Sequence, residues 1–240
     1  MRSALALATP ALCLELGLAQ PAKAQILGGQ IPGQVAGALG VQSNYLYRGI
    51  SLSSGLPAAT LDLSYDHPSG AYAGASAVGA VVDGQARSLG FIEYLGYATP
   101  RRGVVSWDVG LTNQDLAYYA QGRRWPVRYA EVYVGAAGEF LSAHLHYSPN
   151  YIRAGYGALY AEVDASTKPV DNWRLFAHLG SVIPVGDAAG RTPRYDARAG
   201  VGRQFGTLEL QASVTATTPD PPGFTPRHRT ALVVGANWFF

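Results

Sequence analysis

Two histidines at alternate positions, His144 and His146, are the residues whose type and spacing most readily suggest chemistry. On an extended strand both side chains point to one face, and His178 lies on a later segment with the same alternation. Imidazole nitrogens bind transition metals, but a metal centre also needs a third ligand and partners that orient the ligands. No motif supplies them, so we expect no metal and no other cofactor, and we interpret the histidines as polar residues facing an interior.

A serine, Ser142, lies two residues before His144, and a serine beside a base is the minimum of a nucleophilic enzyme. The sequence has no strained Gly-x-Ser-x-Gly turn, and its glycines show no phosphate-loop spacing. We therefore expect a protein that is not an enzyme. A lipid hydrolase remains an alternative.

Charged residues alternate with apolar ones along most of the chain and share one face with the histidines. Their signs are mixed, and a buried set of one sign would be very costly. Two interpretations remain open: the charges pair and merely fill an interior, or they line a narrow polar pore and control passage. The set predicted to face inward comprises Arg48, Asp62, Asp66, Asp108, Glu131, His144, His146, Glu162, Asp164, Arg174, His178, Asp196 and Arg198, together with Arg194 and Glu209.

Twelve segments with a two-residue period must position these side chains. In the clearest one, Ala59, Leu61, Leu63 and Tyr65 alternate with polar residues, which is the pattern of a half-buried strand. The predicted strands are 35–47, 59–66, 72–80, 89–97, 104–111, 127–136, 140–147, 154–165, 173–182, 195–205, 207–216 and 230–240.

Such alternation also occurs in a soluble β-sandwich, but three features favour a membrane barrel. The segments are about 9–11 residues long, which is what a tilted strand needs to cross a bilayer. Their apolar faces often end in an aromatic residue, as in an interfacial girdle. The connections after the first, third, fifth, ninth and eleventh segments are longer than the others, with 112–126 and 217–228 the clearest. We predict an all-β, antiparallel transmembrane β-barrel of about 12 strands, closed by the C-terminal strand, with both termini in the periplasm.

The C-terminal segment carries the closing signal. Leu232, Val234, Ala236, Trp238 and Phe240 share one apolar face. A terminal Phe after alternating apolar residues resembles the signal that the barrel-assembly machinery of Gram-negative bacteria reads. We assign Trp238 and Phe240 to assembly.

The N-terminal residues have the order of a secretory signal peptide. Arg2 precedes a mainly apolar run, and Ala22-Lys23-Ala24 matches a cleavage site before Gln25. We predict a signal peptide over 1–24 and a barrel over 25–240. The only cysteine, Cys13, lies in the removed part. A formal net charge of +2 lacks the basic footprint of a nucleic-acid binder.

The nine residues from Ser43 to Ser51, read Ser-Asn-Tyr-Leu-Tyr-Arg-Gly-Ile-Ser, are followed by Ala58-Ala59 and by Tyr-Asp-His-Pro-Ser-Gly at 65–70. With the later Tyr-Ser-Pro-Asn-Tyr at 147–151, they resemble the opening of the TorF-type porin family, proteobacterial conserved hypothetical outer-membrane proteins. The resemblance implies an outer-membrane barrel with a channel role and supplies no catalytic residues. The sequence departs from the family pattern in its fourth strand and over 112–119.

We therefore predict an outer-membrane channel for passive diffusion of small hydrophilic solutes. A closed structural or adhesive barrel and a barrel lipid hydrolase are the alternatives. The expected partners are outer-membrane lipids and lipopolysaccharide, the assembly machinery and small solutes. Arg123, Arg124 and Arg128 are expected to bind lipopolysaccharide phosphates at the outer rim, because the Arg fork donates two hydrogen bonds at once. The alternative is that codon usage alone explains the abundance of Arg.

Overall fold

The computed structural model describes residues 32–100, 105–120, 123–218 and 230–240, without the side chains of 118–120 and 123. Twelve antiparallel strands form a closed barrel, and two short strands, β2 and β3, form a separate hairpin. No helix within the described ranges is long and apolar enough to cross a membrane. The strands are β1 (Gln34–Gln42), β2 (Leu46–Tyr47), β3 (Ile50–Ser51), β4 (Ala58–Asp66), β5 (Ala71–Val82), β6 (Gln85–Ala98), β7 (Ser106–Ala120), β8 (Arg123–Ala137), β9 (Leu141–Ser148), β10 (Gly157–Val170), β11 (Trp173–Val185), β12 (Arg194–Phe205), β13 (Leu208–Thr217) and β14 (Thr230–Phe239).

The barrel closes between its first and last strands, as the sequence predicts. β1 pairs with β4 on one side and with β14 on the other, so the sheet has no free edge. The backbones of Gly37 and Phe240 exchange two hydrogen bonds, of 2.9 and 3.0 Å, which extend this pairing past the end of β14. We call the end where β1 begins and β14 ends the terminal end, and the opposite one the far end.

The two-residue period places apolar side chains outside and polar ones inside. On β14, Leu232 is 69% exposed and Val233 is 2% exposed. The same contrast recurs around the wall, where Trp107, Leu179 and Leu210 face outward. An apolar belt of this size is stable against lipid and would be a liability in water. The prediction of a closed antiparallel barrel of about 12 strands is confirmed.

The first strand is shorter than predicted. It ends at Gln42, and the chain then turns into the barrel, so the prediction that Tyr45 and Tyr47 share the outer face was wrong. Arg48 and Gly49 both have positive φ, of 47° and 75°, which allows a tight turn between β2 and β3. Residues 43–57, which we call the inner hairpin, therefore lie inside the sheet that they connect.

The predicted long connection at 112–126 was also wrong. β7 and β8 continue through this region and pair up to Ala120 and Arg123, so Arg123 and Arg124 lie in a strand. The sequence there does not alternate between apolar and polar residues, because polar residues occur on both faces of the strand. Thr112 and Gln114 point inward, and Asn113 points outward. The connection after the third barrel strand, expected to be long, is the two-residue turn Asp83–Gly84, in which both residues have positive φ.

The fourth barrel strand, β6, does not alternate regularly between inward and outward side chains, because its pairing with β5 is irregular. Its register with β5 shifts between Val78 and Gly79. The shift turns Leu89 inward, where it is fully buried, while Phe91 and Glu93 face outward. Glu93 accepts a hydrogen bond from Asn113 Nδ2 at 3.0 Å, so this outward carboxylate has a partner.

Candidate functional site: the barrel interior

The inner hairpin fills the far part of the interior. Its side chains Tyr45, Tyr47, Leu52 and Ser53 are all buried. The backbone nitrogen of Tyr45 donates to Ser53 Oγ at 2.9 Å, and that of Leu52 donates to the Tyr45 carbonyl at 2.9 Å. The inner hairpin is not paired with the strands of the wall, so its buried backbone groups need partners of their own. These hydrogen bonds provide them.

Arg48 anchors the inner hairpin to the wall. Its Nη1 and Nη2 donate to Glu131 Oε1 and Oε2, both at 2.7 Å, and the two side chains are 4% and 1% exposed. Such a two-bonded fork is the strongest form of an ion pair. The guanidinium carbon lies 3.9 Å from the centroid of the Tyr160 ring, and the Arg48 carbonyl accepts from Arg194 Nη2 at 3.0 Å. Burial acts to lower the pKa of Arg48, but the adjacent Glu131 carboxylate raises it well above its ordinary value, so Arg48 stays charged.

An apolar cluster surrounds this anchor. Tyr47 packs with Leu89, Ile92 and Tyr151 in one group of buried side chains. Tyr129 Oη donates to Tyr47 Oη at 3.3 Å, and its ring meets that of Tyr151 edge-on, with centroids 4.9 Å apart. Sequence reasoning missed this cluster, because its tyrosines resemble an interfacial girdle when they are read as a pattern.

Histidine–carboxylate contacts occupy the middle of the interior. His144 Nε2 lies 3.3 Å from Asp108, and His146 Nε2 lies 3.1 Å from Glu162. His178 lies between two carboxylates, with Nδ1 2.8 Å from Asp164 and Nε2 3.0 Å from Asp196. The structure therefore brings together residues that are far apart in sequence.

A second charged pair lies toward the terminal end. Arg174 Nε donates to Glu209 Oε2 at 3.0 Å, and both side chains are buried. The Arg174 guanidinium also lies 4.4 Å from the Phe176 ring centroid. The guanidinium of Arg198 lies 5.0 Å from the same centroid, and its Nε donates to Ser213 Oγ at 3.1 Å.

All thirteen residues predicted to line the interior lie on its inner side. Asp62, Asp66 and Arg198 are half-buried, and the other ten are buried. Some of these charges form buried pairs, such as Arg48–Glu131, beside the inner hairpin.

The buried charges of the described residues do not balance through arginine alone. They comprise six carboxylates and three arginines, with three histidines between them. With neutral histidines the set has three more negative than positive charges, and a divalent cation would reduce this excess to one. Two small cavities border the inner hairpin: one of about 60 Å³ is lined by Arg48, Asp164 and His178, and one of about 40 Å³ is lined by Tyr47, Asp62 and His146.

The suggested nucleophile and base do not form a pair. Ser142 Oγ is buried without a hydrogen-bond partner among the described residues, and His144 Nε2 contacts Asp108 instead. A serine nucleophile needs its base within hydrogen-bonding distance. The arrangement therefore gives the hydrolase alternative no support.

The described side chains of the predicted rim and of the closing strand lie on the outer surface, and that of Arg123 is not among them. Arg128 Nη2 forms an ion pair with Asp115 Oδ2 at 2.9 Å, and Arg124 is exposed. Trp238 and Phe240 face outward with ring centroids 5.8 Å apart. Trp238 Nε1 donates to Thr207 Oγ1 at 3.0 Å, which ties the closing strand to the β12–β13 turn.

The sequence profile of the family described as "Bacterial protein of unknown function (Gcw_chp)" matches residues 27–240. The chain belongs to the Gcw_chp family. A search of curated proteins finds no relative that matches this Gcw_chp chain.

Solved structures resemble this Gcw_chp barrel. A structure titled "KdgM porin" has a TM-score of 0.52 and 12% identity, covering 85% of this chain and 98% of its own. OmpT of Vibrio cholerae, expressed in the outer membrane, scores 0.45 at 11% identity, with coverage of 90% and 100%. OccAB3 of Acinetobacter baumannii scores 0.41 at 10% identity, with coverage of 88% and 65%. The first likeness shows a porin-like barrel fold.

Proposed function

We propose that this Gcw_chp protein is a channel that lets small hydrophilic solutes diffuse across the outer membrane, and that the inner hairpin is its constriction. One observation carries the proposal: the far half of the interior is filled by a connecting segment, residues 43–57, and not by the wall's side chains alone. A 12-strand wall encloses more space than the small barrels that side chains can fill. Displacing one segment would therefore open a passage whose far part is bordered by the apolar cluster and whose middle is lined by polar and charged side chains.

The polar face of the wall supports the same proposal. Thr60, Asp62 and Ser76 face inward on neighbouring strands, where an uncharged solute could exchange hydrogen bonds with them. The fold likeness to a KdgM porin and the resemblance to TorF-type porins agree with a channel role. We keep the TorF-type assignment as part of this proposal.

A closed structural barrel is the second candidate. The observation that favours it is the buried cluster of Tyr47, Leu89, Ile92 and Tyr151, because dry apolar packing does not conduct ions. The two functions differ in whether the inner hairpin leaves its site, which conductance measurements test directly.

Export to the outer membrane completes the proposal. The signal peptide at 1–24 lies outside the described residues and stays a prediction. We propose recognition of the closing strand by the barrel-assembly machinery and contact of the wall with outer-membrane lipids. In this orientation the far end faces the cell exterior, and β7 and β8 extend toward lipopolysaccharide.

Asp62 is the carboxylate from which we expect the clearest effect on ion selectivity. It is half-buried and lines a cavity, and its Oδ2 has no hydrogen-bond partner among the described residues. We expect a weak cation preference in the wild type, and we expect Asp62→Asn to move the reversal potential in a salt gradient toward that of anions. Glu93→Gln, on the outer face, is the matched control and should leave the potential unchanged. An unchanged reversal potential in a conducting Asp62→Asn channel would show that ions do not pass Asp62.

The arginines at the start of β8 are expected to hold lipopolysaccharide; Arg124 and Arg128 are exposed, and the side chain of Arg123 lies outside the described part of the chain. Replacing Arg123, Arg124 and Arg128 with Gln should reduce both lipopolysaccharide co-purification and the thermal stabilisation that the lipid provides, because charge-assisted bonds to phosphate are lost. The Arg128–Asp115 pair is exposed, so solvent screens it and it adds little to stability. Asp115→Asn is therefore the useful control, since it frees Arg128 and should preserve or increase lipid retention. Equal retention in the triple variant and the wild type would refute the proposed rim.

A further inference from the structure

Three buried side chains on adjacent strands converge in the middle of the barrel. Glu162 and Asp164 lie two residues apart on the inner face of β10, and His178 on β11 lies directly opposite Asp164. One ligand atom from each of the three lies within 4.8 Å of the others. We propose that Glu162, Asp164 and His178 bind a divalent transition-metal ion of the zinc class.

The orientation of His178 is that of a metal ligand. Its Nε2 lies 3.0 Å from Asp196 Oδ1 on β12, and its Nδ1 lies 2.8 Å from Asp164 Oδ1. Histidines that bind metals almost always donate the N–H of their other nitrogen to a carboxylate or carbonyl, which fixes the ring and its tautomer. With the proton on Nε2, Asp196 would fulfil that role and leave Nδ1 free to bind a metal ion, together with Asp164 after the two move apart from hydrogen-bonding distance.

Neighbouring polar atoms independently indicate a ligand at this position. Ser142 Oγ and His144 Nδ1 are buried and have no hydrogen-bond partner among the described residues. On β9 these residues lie opposite Asp164 and Glu162, respectively. A buried polar atom without a partner is costly. A hydrated cation at Asp164 and Glu162 would bring polar partners next to this part of β9.

The charge and the space around the three residues also suit a cation. The six buried carboxylates exceed the three buried arginines, so a divalent ion reduces the excess negative charge. The cavity of about 60 Å³ borders Asp164 and His178 and has room for an ion with its water. One imidazole nitrogen with two carboxylate groups suits zinc and its neighbours, whereas magnesium and calcium prefer oxygen ligands alone.

Zinc titration of the purified full barrel in detergent tests the proposal. We expect one equivalent of Zn²⁺ to remain bound after desalting, and we expect Asp164→Asn and His178→Gln each to abolish this stoichiometric binding. Asp196→Asn removes only the orienting carboxylate and should weaken affinity about 10- to 100-fold. His67→Gln changes a histidine in the turn after β4 and should bind like the wild type.

Two further readouts separate loss of the site from loss of the fold. Heat modifiability on gels shows whether each variant is a folded barrel. Co²⁺ bound to the wild type should give the visible absorption of a site with nitrogen and oxygen ligands, independently of any variant. The absence of stoichiometric Zn²⁺ in the wild type, or equal binding by folded Asp164→Asn and His178→Gln proteins, would overturn the proposal.

Discussion

Outer-membrane fractions from cells producing the Trp238→Asp/Phe240→Asp variant are expected to contain no folded barrel. Both side chains face outward on the closing strand, and the Phe240 backbone bonds to Gly37 at the seam of the barrel. The two carboxylates would put charge on the lipid-facing side of that seam and remove the aromatic signal. We expect the variant to be degraded in the periplasm, as judged by heat modifiability and by fractionation.

A second variant tests the same seam without changing the signal. The Phe240 ring packs directly where a side chain on Gly37 would begin, so Gly37→Leu must displace it. We expect slower assembly and a lower unfolding temperature in Gly37→Leu, with the C-terminal residues intact. A normal yield of barrel from the double Asp variant would contradict a role for these aromatics in closure.

Replacing residues 44–56 with a short Gly-Ser linker is expected to raise single-channel conductance several-fold. The deleted segment contains the buried Tyr45, Tyr47 and Leu52, and its removal empties the far half of the interior. A subtler variant, Arg48→Ala/Glu131→Gln, removes both partners of the anchor together. Changing Arg48 alone would leave the buried Glu131 carboxylate without its arginine, with Gln114 Nε2 at 3.2 Å and His146 Nδ1 at 3.6 Å as remaining neighbours, and would destabilise the fold. We expect more frequent openings from the double variant, measured in planar bilayers.

The control for this experiment is Arg203→Ala. Arg203 lies on the outer face of β12, with its guanidinium 5.1 Å from the Trp173 ring centroid, and it has no contact with the inner hairpin. The single-channel conductance of the Arg203→Ala variant should match that of the wild type. If the linker variant conducted no better than the wild type, the inner hairpin would not be the constriction.

The wall could be predicted from the sequence because each strand has lipid on one side and polar groups on the other. The strand from Ala58 to Asp66 shows this in full, since Leu61 and Leu63 are exposed while Thr60 is buried. The pattern fails where a segment has another environment. The inner hairpin lies within the wall, so the alternation that includes Tyr45 and Tyr47 does not mark a lipid-facing side. The extension of β7 and β8 has polar residues on both faces, and it was interpreted as a loop.

The interior could be predicted only as a set of residues, not as contacts. Alternation places Asp164 and His178 inside, but the register between strands decides that they face each other. Likewise, nothing near Arg48 in sequence indicates Glu131 as its partner, because the inner hairpin brings them together across the barrel. The sequence pointed to His144 and His146 as the histidines with chemical potential, whereas the structure brings His178 together with Glu162 and Asp164.

Single-channel recording of the wild-type barrel in planar bilayers tests the proposed channel most directly. The account predicts discrete conductance steps that grow with salt concentration and that are smaller than those of the linker variant, because the inner hairpin narrows the passage. Bilayers that stay electrically silent with folded wild-type barrel inserted, and that stay silent with the linker variant as well, would contradict a channel and favour the closed structural barrel.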